Sequence, residues 1–222
     1  MKRFFIIFVI GFISLVHLNA DEVNNSSEKS GIFVGIDIGF ALNSISGSAS
    51  VKNIFDSTYS EQTVAGYRAN FDGNYGLRVG YQHFFGAHNG LRFYGHFNYN
   101  DFSGYSVMQY GGNVDYLLNF SDKPGAWGLF LGAGYEWTSG NFAKFLKDTS
   151  PTVEGQTMEK SLNGVFMNIG LSKTVRNKNR FEFGVKVPFY TYYKTEYTIL
   201  GAEAKMTLKK SSVIYLAYTY TF

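Results

Sequence analysis

From Gly31 to Ala41 every even position carries a large apolar side chain, Ile32, Val34, Ile36, Ile38 and Phe40, while the odd positions include Gly35, Asp37 and Gly39. Side chains of a β-strand alternate faces, so a step of two gives one greasy face and one small or polar face. The pattern then returns seven times. Tyr75, Leu77, Val79, Tyr81 and Phe85 form the apolar set of a second strand, Leu91, Phe93, Phe97 and Tyr99 of a third, and Tyr110, Val114, Tyr116 and Leu118 of a fourth. Trp127, Leu129, Leu131, Ala133, Tyr135 and Trp137 mark a fifth, and Val165, Met167, Ile169 and Leu171 a sixth. Phe181, Phe183, Val185, Val187 and Phe189 mark a seventh, and Ile214, Leu216, Tyr218, Tyr220 and Phe222 an eighth.

The connections alternate in length. Tight stretches lie around Ala87 to Gly90, from Ser121 to Gly125 and from Lys173 to Asn179, whereas 42–73, 101–106, 138–162 and 191–211 are mostly longer. Short turns at one end, long loops at the other and an even strand number predict an all-β fold: an eight-stranded antiparallel transmembrane β-barrel of up-and-down topology, as in Gram-negative outer membranes. A soluble barrel would show the same alternation with its faces exchanged. The 17 Tyr, 22 Phe and 2 Trp decide against it. Tyr75, Phe85, Tyr99, Trp127, Trp137, Phe181, Tyr220 and Phe222 sit at the apolar-face ends of strands, where girdles at two membrane interfaces would be. The opposite face is rich in glycine, which covers a soluble surface poorly but relieves crowding inside a narrow barrel. The last strand ends on Tyr218, Tyr220 and Phe222, and a terminal aromatic in an alternating strand resembles the signal read by the outer-membrane assembly machinery.

Residues 1–20 read as a secretory signal peptide: Lys2 and Arg3, an apolar run from Phe4 to Val16, and Ala20 before Asp21 and Glu22. The run is short of the ~20 residues a membrane-spanning helix needs. Residues 21–30 read as a polar, mobile lead-in, and 31–222 as the barrel, with both termini in the periplasm. Without Lys2 and Arg3 the formal charge falls from +3 to +1, which leaves no electrostatic case for nucleic acid. Cysteine is absent, so disulfides, thiolate metal sites and a cysteine nucleophile are excluded.

Five segments, 74–86 (NYGLRVGYQHFFG), 90–99 (GLRFYGHFNY), 115–120 (DYLLNF), 184–193 (GVKVPFYTYY) and 213–222 (VIYLAYTYTF), resemble the Helicobacter outer membrane protein family, most specifically from Tyr75 to Tyr99. The resemblance implies a barrel in the outer membrane. Large members of that family are adhesins or porin-like proteins whose exposed domain enters after the first strand. The corresponding stretch here, 42–73, is far shorter than such a domain, so location and architecture are what carry over.

Side chains just about fill the inside of an eight-stranded barrel. Charges on its inner face must then be paired, because a lone buried charge costs several kcal/mol. The expected lumen network is Arg92, Asp115 and Glu182 in a lower layer, Asp37, His96 and Lys186 with Asn168 near the middle, and Arg78 and Glu136 near the outer mouth. If the loop after Asn100 closes onto Val107, Arg92 falls opposite Asp115, where cross-strand pairs interact. Leu200-Gly201-Ala202-Glu203 suits a two-residue hairpin with glycine first. It would lift Lys194, Glu196, Glu203 and Lys205 into solvent.

Catalytic and metal sites are not expected. His83, His88 and His96 have no nucleophile beside them and no His-x-Ser pair occurs; His96 is expected to hydrogen-bond an inner-face neighbour. Acids and histidines are too scattered for ligand spacing, and no cofactor motif is present. Lys173, Arg176, Lys178 and Arg180 surround the third short turn, as solubilising charges or as contacts to phospholipid headgroups. Lys144, Lys147, Lys160, Lys205, Lys209 and Lys210 lie in the long loops among acids, where they bridge lipopolysaccharide phosphates or simply solvate the loops. Phe142, Phe145 and Leu146 either plug the outer mouth or offer a contact surface. The expected function is a structural or surface-interaction protein, adhesion-related, with a closed lumen and a surface ligand the sequence does not name. The alternatives are a small-solute channel and, more weakly, a lipid-modifying enzyme.

Overall fold

Strand β1 (Gly31–Val51) pairs antiparallel with β2 (Gln62–Phe84), which leads through β3 (Asn89–Phe102), β4 (Tyr105–Asn119) and β5 (Trp127–Ser139) to a helix, α1 (Asn141–Asp148). The chain continues as β6 (Thr157–Lys160), β7 (Asn163–Val175), β8 (Asn179–Pro188), β9 (Thr191–Ile199) and β10 (Ala202–Thr221). The computed structural model describes residues 28–51, 62–102, 104–151, 156–199 and 202–222. The expected leader 1–20 and most of the lead-in lie outside them.

Hydrogen bonding runs β1-β2-β3-β4-β5-β7-β8-β10, and β10 returns to β1, so eight strands close into a barrel. Closure leaves no free edge in the wall, the condition for putting a backbone into hydrocarbon. Register brings the outward stripes side by side: Ile36 faces Leu77 on one flank and Tyr218 on the other. Ile36, Leu77, Ile169, Phe183 and Leu216 are each more than half exposed, whereas Asp115, Glu136 and Arg92 are fully buried. A continuous apolar belt of this extent belongs in lipid. The two faces of the alternation are therefore assigned as the sequence predicts.

Strands run further beyond the membrane than expected. The loop assigned to 42–73 is largely ladder, since β1 reaches Val51 and β2 begins at Gln62. Each added antiparallel pair satisfies two backbone groups without requiring an apolar face. The stretch 101–106 shrinks to a turn with Phe102 opposite Tyr105, 138–162 holds α1 and β6, and 191–211 is the β9–β10 hairpin. That hairpin corrects the expected turn: Ile199 faces Ala202, so the connecting residues are Leu200 and Gly201, which lie outside the described residues.

One irregularity matters for the interior. The β1–β10 register shifts at Leu42/Ser44. Below it Val213, Tyr215, Ala217, Thr219 and Thr221 of β10 point inward; above it Leu208 and Lys210 do. A bulge reverses the parity of every residue beyond it.

Candidate functional site

The alternate residues that face inward carry the polar chemistry of the chain. Arg92, opposite Asp115 in the β3–β4 ladder as predicted, donates from Nε to Asp115 Oδ2 at 3.0 Å and from Nη1 to Glu182 Oε1 at 2.7 Å. Arg78 donates from Nη1 to Glu182 Oε2 at 3.0 Å and from Nη2 to Asp37 Oδ2 at 3.1 Å. Arg180 donates from Nε to Glu182 Oε1 at 2.9 Å and from Nη1 to Glu28 Oε2 at 2.6 Å. Glu182 thus gathers three guanidiniums. Amides complete the acids: Asn98 donates to Asp37 at 3.0 Å and Asn168 to Asp115 at 2.9 Å.

Aromatic rings fill the remaining space. Arg78 lies 5.5 Å from the Tyr94 ring centroid and 5.2 Å from that of Tyr215, and Arg92 lies 5.5 Å from Phe33. Ring faces attract weakly hydrated guanidinium planes, which compensates part of their desolvation. A second cluster sits higher. Lys186 donates to Glu136, Tyr190 Oη donates to the other oxygen of Glu136 at 3.0 Å, and His96 Nε2 comes within 3.4 Å of Glu136 without hydrogen-bond alignment. The expected hydrogen bond of His96 is therefore replaced by a long electrostatic contact and by the edge of Phe166, 5.3 Å away. The space between the clusters is a cavity of about 30 Å³ bordered by Asp37, Arg78, His96 and Lys186. It has room for about two water molecules.

All eight expected lumen residues are buried on the inner face, with Arg78 and its partner Asp37 shifted to the lower cluster. Arg78 was expected near the outer mouth beside Glu136. Its long side chain instead reaches Glu182, so it belongs to the lower cluster. Three further charges join the interior that sequence reasoning put elsewhere. Arg180, expected in the solvated turn, is 1% exposed; its even number places it on the same face as Glu182, a signal that was there to read. Glu28, expected in a mobile lead-in, is equally buried. Lys210, expected in a loop, points inward because the bulge reverses its face.

Both ends are covered. At the short-turn end Glu28 accepts from Gln82 and from Thr174, each at 3.1 Å, while Lys29 N–H bonds the Asn177 carbonyl at 2.8 Å. At the other end Phe142 and Leu146 of α1 pack on Val107, Tyr192 and Leu208, with Phe142 edge-on to Tyr192 at 4.9 Å. These two residues plug the mouth. Phe145 stays outside against Tyr105, 5.1 Å between centroids.

Other candidates disperse. His83 lies edge-on to Phe85, and His88 bonds the Asn119 carbonyl at 2.9 Å. No group of three metal-binding side chains occurs among the described residues. Lys173 sits over the Trp127 ring at 5.0 Å, and Arg176 is exposed. On the β9–β10 hairpin Lys205 and Lys194 bond Glu196 at 2.8 and 3.2 Å and hold its carboxyl below the usual range. Tyr218 Oη donates to Asn179 at 2.7 Å, Tyr220 packs on Phe222, and Phe222 N–H bonds the Ile32 carbonyl at 2.9 Å. The terminal aromatics thus sit on the seam that closes the barrel.

Comparison with solved structures finds similar barrels at low identity. The outer membrane protein OprG of Pseudomonas aeruginosa is 16% identical, with a TM-score of 0.45 over 88% of this chain and 97% of its own. Ail, the attachment invasion locus protein of Yersinia pestis, is 12% identical, with a TM-score of 0.35 over 87% of this chain and 100% of its own. A comparison with curated protein sequences finds no match. The family described as Helicobacter outer membrane protein matches residues 76–222, which takes in the wall from β2 to the closing strand. With that match and an eight-stranded barrel belted in exposed apolar side chains, the chain belongs to the Helicobacter outer membrane protein family and is an outer-membrane β-barrel protein.

Proposed function

We propose that this protein is a sealed barrel that serves the cell surface through its external hairpins and not through its lumen. The carrying observation is the cross-section: Arg78, Arg92 and Arg180 converge on Glu182, with Tyr94, Phe130 and Tyr215 buried around them. A diffusion path would have to break several charge-assisted hydrogen bonds in a low-dielectric space. The contact surface in this reading is the pair of ladders that continue outward, β1–β2 and β9–β10, with the Lys194, Glu196 and Lys205 charges displayed on the second. The short-turn end and both termini face the periplasm, and Tyr218, Tyr220 and Phe222 present the closing strand to the assembly machinery.

Replacing 194–205 by a short turn tests the reading, because it trims β9 and only the far end of β10 and leaves the part of every wall strand in the apolar belt in place. Cells displaying the trimmed protein should lose adherence to epithelial cells relative to cells displaying the whole one, with equal surface levels measured by thiol labelling of a cysteine placed at Lys144. Unchanged adherence, or labelling at Lys123 in place of Lys144, contradicts it.

A further inference from the structure

Among the described residues the barrel wall has a gap between hydrogen-bonded strands. β10 pairs with β8 up to Val213↔Lys186 and with β9 from Lys209↔Thr191 onward, so 187–190 and 210–212 face each other without ladder bonds. Pro188 contributes to the break, since it has no N–H to give. The gap opens a cleft of about 440 Å³ lined by Leu42, Pro188, Phe189, Tyr190, Lys209 and Lys210. It lies where the outward apolar stripe of β1 gives way, just past Phe40.

Lys210 is the reason to expect an occupant. It is 5% exposed, its Nζ makes no hydrogen bond, and its nearest aromatic partner is the Tyr192 ring at 5.6 Å. No carboxylate among the described residues lies within ion-pair distance of it. Glu136, whose field reaches it, is already bonded to Lys186 and Tyr190. The lower cluster sets the carboxylates of Glu28, Asp37, Asp115 and Glu182 against only three guanidiniums, while the upper one sets Glu136 against two amines. Among the fully buried, described groups the upper cluster is therefore one anion short. A buried ammonium without an acceptor is costly, and Lys210 borders the cleft, although its Nζ is turned inward and must swing toward the cleft to meet an acceptor there.

We propose that the cleft binds the phosphate monoester headgroup of an amphiphile in the outer leaflet. Lys210 takes the phosphate from inside and exposed Lys209 from the rim, two amines matching a dianion. The acyl chain leaves along Phe189, which is 60% exposed on the lipid face beside Leu42. This deepens the lipid contacts expected of the loop lysines by assigning them to one buried residue, and it does not rest on the sealed-lumen reading.

Dodecyl phosphate titrated into the protein in dodecyl maltoside micelles, followed by calorimetry, tests it. Saturable binding is expected, weakened about tenfold or more by Lys210→Met and retained by Lys210→Arg. Phe189→Ser lies outside the lumen and does not depend on the interior refolding; it should weaken dodecyl phosphate about fivefold and leave inorganic phosphate unchanged. Absence of saturable binding, binding indifferent to Lys210→Met and Phe189→Ser, or inorganic phosphate binding as tightly as dodecyl phosphate would each overturn the proposal.

Discussion

Arg180 and Glu28, 152 positions apart, meet at 2.6 Å and tie the segment before the first strand to the start of β8. Removing one partner of a buried pair leaves the other uncompensated, at about 3–5 kcal/mol. Arg180 also keeps Glu182 and Ser172, so Glu28→Ala should cost less, about 1–3 kcal/mol. Glu28→Gln should cost less again. Urea unfolding in lipid vesicles gives both numbers, and a Glu28→Ala protein as stable as the parent would show that this end is not closed by the ion pair.

Arg92 binds Asp115 and Glu182 at once. An ammonium is a point charge and cannot reproduce that fork. Arg92→Lys should therefore lose most of the roughly 3–5 kcal/mol that Arg92→Ala loses. A double-mutant cycle with Asp115→Asn should return a coupling of about 0.5–3 kcal/mol; additivity of the two changes would dissociate them energetically.

Gly170 and Gly112 differ in the room available for a side chain. A Cβ on Gly170 would strike the Phe183 carbonyl and the Phe130 ring, whereas nothing lies within 4 Å of one on Gly112. Gly170→Ala should destabilise by about 1–3 kcal/mol, and Gly112→Ala should be neutral or slightly stabilising. Equal effects in the same unfolding assay would mean the interior is looser than its packing indicates.

Ile36 and Ser48 lie on the same face of β1, one in the apolar belt and one on the ladder that continues beyond it. Arginine at Ile36 should cost about 2–4 kcal/mol in a bilayer, while arginine at Ser48 should stay within about 0.5 kcal/mol. The difference should vanish in urea-unfolded baselines and depend on bilayer thickness. Equal costs would move the membrane boundary.

What the sequence reveals here follows from how far each side chain reaches. Parity along a strand is a local property, so the eight outward stripes, the inward face of Glu182 and Lys186, and the Arg92–Asp115 register can all be read from the chain. Arg78 shows the limit: its backbone position is legible, but a side chain of that length crosses layers to reach Glu182, and spacing cannot say which acid wins. Lys210 is lost to the bulge, since one extra residue reverses every assignment above it. Glu28 carries no periodic signal at all, because it acts as a plug and not as part of a strand. Arg180 was readable and was outweighed by its basic neighbours at the turn.

Ion flux through the refolded protein in a planar bilayer is the most direct test of a lumen closed by Glu182 and its three guanidiniums. The account predicts a silent membrane, and continued silence after removal of 141–148, because the seal lies below α1. Steady single-channel steps from the intact barrel would contradict it.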